Sequence, residues 1–128
     1  MLIDNQEVEI RKNRGRSVRG ISPEQYERIF EFLKGAVRTR CADYRDRQFA
    51  ARDMLGGVNY DWRGTPLQAL YEKYIDEGCT DADAVKRAGI SAGHILKRVL
   101  ILDERRIFQF GDAGKANGYT WVGNTTTH

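Results

Sequence analysis

The stretch "RAGISAGHILKRV", residues 87–99, decides how the second half of the chain is read. Gly89 interrupts a short helical pattern, the apolar Ile90 follows, and Ser91 can cap a new helix. On the near side, Thr80 is a capping residue with Asp83 three positions on. Ala84, Val85 and Ala88 then face inward from a short helix over 81–88. On the far side, Ile95, Leu96, Val99, Leu100 and Leu102 are apolar, and a second helix is expected over 91–104. Lys97 and Arg98 fall on the side that its leucines leave free.

Downstream, "RRIFQFG" reads as a strand, "DAGKANG" as a turn and "YTWVG" as the returning strand, with residues 125–128 a frayed end. Upstream, "GGVNYDWRG" at 56–64 is a loop in which Val58, Tyr60 and Trp62 alternate as a short strand would. Thr65, Pro66 and Gln68 have the order cap, proline, third-position amide. Leu67, Leu70, Tyr71, Tyr74 and Ile75 then mark an amphipathic helix that Gly78 closes. Ser22, Pro23 and Gln25 repeat that logic as a capping box. The apolar positions Tyr26, Ile29, Phe30 and Leu33 continue beyond Gly35 as Val37, Cys41, Tyr44, Gln48, Ala51 and Leu55, giving one long helix or two joined near Gly35. Its outer face mixes Arg38, Arg40, Arg45, Arg47 and Arg52 with Asp43, Asp46 and Asp53, the pattern of a solvated, ion-paired surface.

From residue 65 to 122 the order is helix, short helix, helix, hairpin, and this resembles a winged helix-turn-helix domain. Ala84 and Val85 fall where the first of the paired helices packs on the second. Gly89 and Ile90 occupy the turn, and Ile95 anchors the second helix. Leu96, Leu100 and "DERRIF" are similar to the run that leaves the recognition helix, and Ile107–Phe110 with Tyr119–Val122 looks like the wing. Two departures are Val85, larger than the usual alanine, and Arg106, where glycine is common. The fold class implied is mainly α with a small β-hairpin, a winged helix-turn-helix with an N-terminal helical extension. The divisions are a flexible basic arm over 1–20, with a short edge strand about Val8 and Ile10, a helical extension over 21–57, and the winged domain over 58–124.

What the resemblance implies is binding of double-stranded DNA by a transcriptional regulator or mobile-element accessory factor. The helix over 91–104 would enter the major groove, presenting Ser91, Ala92, Gly93, His94, Lys97 and Arg98. Small Ala92 and Gly93 would not block the groove. Ser91 and the first amides could hold a phosphate, and His94, Lys97 and Arg98 could take base edges or phosphates. Lys115 and Asn117 in the wing turn would touch the backbone or minor groove. Residues 11–20, "RKNRGRSVRG", carry Arg11, Lys12, Arg14, Arg16 and Arg19 with no acid, the composition of a basic arm.

The alternative is a non-catalytic adaptor or inhibitor of phage or plasmid type that docks on a protein of a nucleic-acid-handling complex. A homodimer through residues 22–55 is a further expectation, from the surplus of apolar positions Phe30, Leu33, Val37, Tyr44 and Phe49. The chain's 128 residues suffice for one core, and the formal charge of +3 alone identifies no partner. No run approaches the length of a membrane span, the N-terminus lacks a signal pattern, and a cytoplasmic protein is expected. Cys41 and Cys79, with His94 and His128, have no metal-site spacing. The thiols read as reduced, with a disulfide left open. No nucleophile–base spacing or phosphate loop is present, so neither catalysis nor a cofactor is expected.

Overall fold

The computed structural model describes residues 1–11, 18–43, 48–50, 53, 62–113 and 116–125. In chain order it contains β1 (Leu2–Ile3), α1 (Pro23–Asp43), β2 (Phe49–Ala50), α2 (Gln68–Asp76), α3 (Asp81–Leu102), β3 (Arg106–Ala113) and β4 (Ala116–Asn124). Among the described residues, these three helices and a four-stranded mixed sheet, ordered β1-β3-β4-β2, make a mixed α/β fold, in place of the mainly α class expected.

α1 begins at the expected capping box. The Ser22 hydroxyl accepts from the Gln25 amide at 3.1 Å, and the Gln25 side chain accepts from the Ser22 amide at 2.8 Å. The helix runs through Gly35 without a break and buries Ile29, Leu33, Val37 and Cys41 at four-residue intervals. It ends at Asp43, earlier than the apolar pattern suggested. Phe49 and Ala50 then form β2, antiparallel to β4 with Phe49 opposite Tyr119. Of the apolar positions that suggested a dimer, Leu33, Val37 and Phe49 are buried in this chain's own core and Phe30 packs against it. These four positions therefore contribute to this chain's own packing. Tyr44 lies outside the described residues.

α2 starts two residues later than expected. The Thr65 hydroxyl donates to the Trp62 carbonyl at 2.7 Å and does not cap the helix. Trp62 itself is buried in the core, while positions 58–61 of the expected strand lie outside the described residues. Gly78, at φ +94°, closes α2 as expected, its amide bonding the Ile75 carbonyl at 3.0 Å.

The largest departure is at Gly89. Thr80 caps as expected, accepting from the Asp83 amide, but the helix then continues for 22 residues. The separate helices expected at 81–88 and 91–104 are one. Ala84, Ala88, Ser91, Ala92, Ile95, Leu96, Val99 and Leu100 form an unbroken buried stripe through the glycine. An interior glycine costs about 1 kcal/mol against alanine. Burial of that many side chains, at about 25 cal/mol per Å² of apolar surface, outweighs it.

The hairpin is present and longer than expected, with Phe110 opposite Tyr119 and a bulge between Ile107 and Phe108. Residues 1–10 are not a loose arm. Leu2 is fully buried, β1 lies parallel to β3 with Leu2 opposite Phe108, and Ile10 donates back to Leu2 while Ile3 bridges Glu9. Val18 and Ile21 pack on the core as well. Residues 12–17 lie outside the described residues.

Both cysteines are free thiols, Cys41 buried and Cys79 half-buried. Burial pushes the Cys41 thiol above its ordinary 9.0, against the opposing pull of Arg106 and Arg40. The native state therefore holds that proton more tightly than the unfolded chain. The resulting stability is present below pH 9.0 and falls as pH climbs through the folded-state pKa. A thiol reagent at pH 8 is expected to label Cys79 readily and Cys41 only after denaturant is added, which mass spectrometry of the labelled peptides reads directly. Equal labelling of the two in the native protein would contradict the buried placement of Cys41.

Candidate nucleic-acid interface

α2 and α3 meet at a corner of four residues, 77–80, that includes Gly78. Two bonds lock it. The Tyr71 hydroxyl donates to the Asp81 carboxylate, which raises the phenol's pKa from its ordinary 10.0. Farther along, the Tyr74 and Ser91 hydroxyls are bonded at 2.7 Å. Gly20 lies against Lys73 of α2 at φ +84°, where a Cβ would come within 2.7 Å of the lysine chain, and this sets the exposed Arg19 beside α2.

With one side of α3 packed, its other side is fixed. Lys86, Arg87 and Ile90 are exposed, and Gly93, His94, Lys97 and Arg98 are half-buried on the same side at spacings of three and four. From Lys86 to Lys97 the rise is about 16 Å. Between Asp83 and Asp103 the helix carries no acid, so five cationic or titratable nitrogenous side chains share one face around Ile90. Asp81 and Asp83 occupy the first turn, where they complement the helix dipole and leave the helix start unsuited to a phosphate. The Lys97 ammonium stands 5.2 Å from the centre of the Phe110 ring, which ties this face to the foot of the hairpin.

The residues expected from sequence are therefore divided. Ser91 and Ala92 are buried, 4% and 0% exposed, so neither can meet a groove. Ser91 is not a helix cap but a mid-helix hydroxyl serving α2. Gly93, His94, Lys97 and Arg98 lie on the outer side. Arg11 and Arg19 are exposed, and Asn117 sits in β4 opposite Asp112. Lys12, Arg14, Arg16 and Lys115 lie outside the described residues. Lys86, Arg87 and Ile90 were missed, because ending the helix at Gly89 hides that Lys86, Ile90, His94 and Lys97 share a face. The spacing across the glycine was the available signal.

Among the described residues no group of three or more His, Cys, Asp or Glu could hold a metal ion, and no helix is long and apolar enough to cross a membrane. Compared with protein-family models, curated proteins and solved structures, the chain matches none.

Proposed function

We propose that the chain is a DNA-binding protein, a transcriptional regulator or mobile-element accessory factor, that meets the duplex with the outer face of α3. The observation that carries this reading is the α2–α3 corner. A four-residue glycine turn joins a short helix to a longer one, and the β3–β4 hairpin follows. That order resembles a winged helix-turn-helix, with its turn at 77–80 instead of at Gly89. In such a corner the N-terminal half of the second helix faces the major groove. Here that half exposes Lys86, Arg87 and Ile90, followed by His94 and Lys97. Lysine and arginine supply phosphate attraction, and Arg87 has the fork geometry that can read a guanine edge. The hairpin would then lie against the flanking backbone.

Fluorescence anisotropy with mixed-sequence duplex DNA at rising salt tests the reading. Three phosphate contacts, from Lys86, Arg87 and Lys97, give a slope of log K against log salt of about −3. The K86A/R87A double variant is expected to flatten that slope by about 2. Both residues are exposed, so the fold stays intact. An unchanged slope in that variant, or no binding at low salt, rejects the proposal.

Ile90 favours a second reading. It is 52% exposed at the centre of a cationic face, a composition suited to an acidic protein surface with an apolar anchor. Ile90→Ala separates the two. A protein docking site loses most of its affinity, whereas salt-driven DNA binding changes little.

A further inference from the structure

α1 packs one side on the core through Ile29, Leu33, Val37 and Cys41 and turns the other to solvent. At about 100° per residue, Gly35 lies diametrically opposite that buried stripe. It is exposed, and a Cβ built on it would meet no atom within 4 Å. Alanine would therefore fit there and favour the helix, yet the position holds one of the poorest helix formers. A glycine so placed permits the close approach of another backbone. On one flank of Gly35, Glu27, Glu31, Lys34 and Arg38 are spaced four, three and four, so they make one row along the helix. On the other flank is Phe32, a ring left 37% exposed. The charges in the row are segregated. Glu27 has Glu31 as its neighbour one turn on, and Lys34 has Arg38, like-charge spacings that destabilise a lone helix. None of the four forms an ion pair with any described residue.

We infer that this side of α1 binds a second copy of the chain, antiparallel, about a two-fold axis at the level of Leu33. Leu33 is the midpoint of Pro23–Asp43. A two-fold axis sets each flank of one antiparallel helix against the same flank of the other. Residue 27 then comes level with residue 39 of the second copy, and residue 31 with residue 35. Glu27 is thus one residue, about 1.5 Å of rise, from the level of Arg38, and Glu31 is equally close to the level of Lys34. Symmetry repeats both contacts, so the segregated row is complementary to itself and every charge in it meets its opposite. Phe32 comes within one residue of Gly35 of the second copy, where the absent side chain leaves room for the ring. Exposed ion pairs are individually weak. The charges therefore fix orientation and register, and burial of the two rings supplies the apolar contact. This surface is distinct from the apolar positions that α1 uses in the chain's own core. It is also separate from the α3 face and does not rest on the DNA-binding reading.

Sedimentation equilibrium of the full chain, from about 10 µM to about 1 mM, tests it and is expected to show a reversible monomer–dimer equilibrium. R38E sets like charge against Glu27 twice in the pair and is expected to weaken association at least about tenfold. E27R does the same from the other side. E27R/R38E exchanges the two charges and is expected to restore the dimer, a rescue specific to the antiparallel register. G35L fills the room for Phe32 and is expected to weaken association about tenfold, although leucine favours the helix itself. Positions 27, 35 and 38 are all exposed, so circular dichroism should show an intact fold in each variant. A monomer mass at every concentration, a dimer that R38E or G35L leaves intact, or one lost in R38E and not regained in E27R/R38E, overturns the inference. K86A/R87A is expected to leave the dimer untouched, so failure here and failure of DNA binding are distinguishable.

Discussion

Ile90→Pro is expected to destabilise the protein by about 3 kcal/mol or more. Proline removes the amide that donates to the carbonyl four residues earlier, and its ring collides with that carbonyl. Position 90 is deep inside α3, so both effects apply in full. Its side chain is half exposed, so the packing lost is small and Ile90→Ala serves as the control. Against total stabilities of 5–15 kcal/mol for typical domains, a loss of about 3 is large and visible as a shifted urea midpoint. If a turn stood at Gly89–Ile90, proline there would cost little. A loss under about 1 kcal/mol would therefore mean that α3 breaks where the local sequence suggests, and the face built around Ile90 would go with it.

Leu2→Ala is expected to cost about 2–4 kcal/mol, as much as truncating a leucine in the middle of a core. Leu2 has no solvent exposure and sits opposite Phe108, inside the cluster that contains Leu96 and Leu100. Were the first residues a loose arm, the same change would stay within about 0.5 kcal/mol. Chemical denaturation with an unchanged m-value distinguishes the two outcomes.

Both experiments fall where local sequence and tertiary structure disagree, and the disagreements share a cause. Features set by neighbouring residues were legible. The Ser22–Gln25 box, the Thr80 cap, the Gly78 stop and the β3–β4 hairpin all follow from side-chain chemistry or alternation within a few positions. Gly89 and Ser91 carried real local preferences for a break, but the buried stripe from Ala84 to Leu100 overrides them. Position 91 then looked like a cap when it is a bonding partner of Tyr74. β1 and β2 span two residues each and acquire their conformation from strands far along the chain, so no local pattern marks them. The proposed face of α3 was legible in its residue types and misplaced in its boundaries. Lys97, Arg98 and His94, expected from sequence, lie on the outer side of α3, whereas Lys86 and Arg87, on the same side, fall in a different helix in the sequence reading.

The parallel pairing of β1 with β3 also bears on how the chain acquires its fold during synthesis. Met1 and Arg106 are bonded across 105 residues of sequence. At a synthesis rate of about 5–20 residues per second, Leu2 waits roughly 5–20 s before Phe108 exists. The α2–α3 corner needs only nearby contacts and can form during that interval. The sheet cannot close until β4 is made, since β4 joins β2 to β3. Two apolar strands, at Leu2 and Phe49, are therefore left unpaired on the growing chain, and completion of the domain is a late event governed by distant contacts.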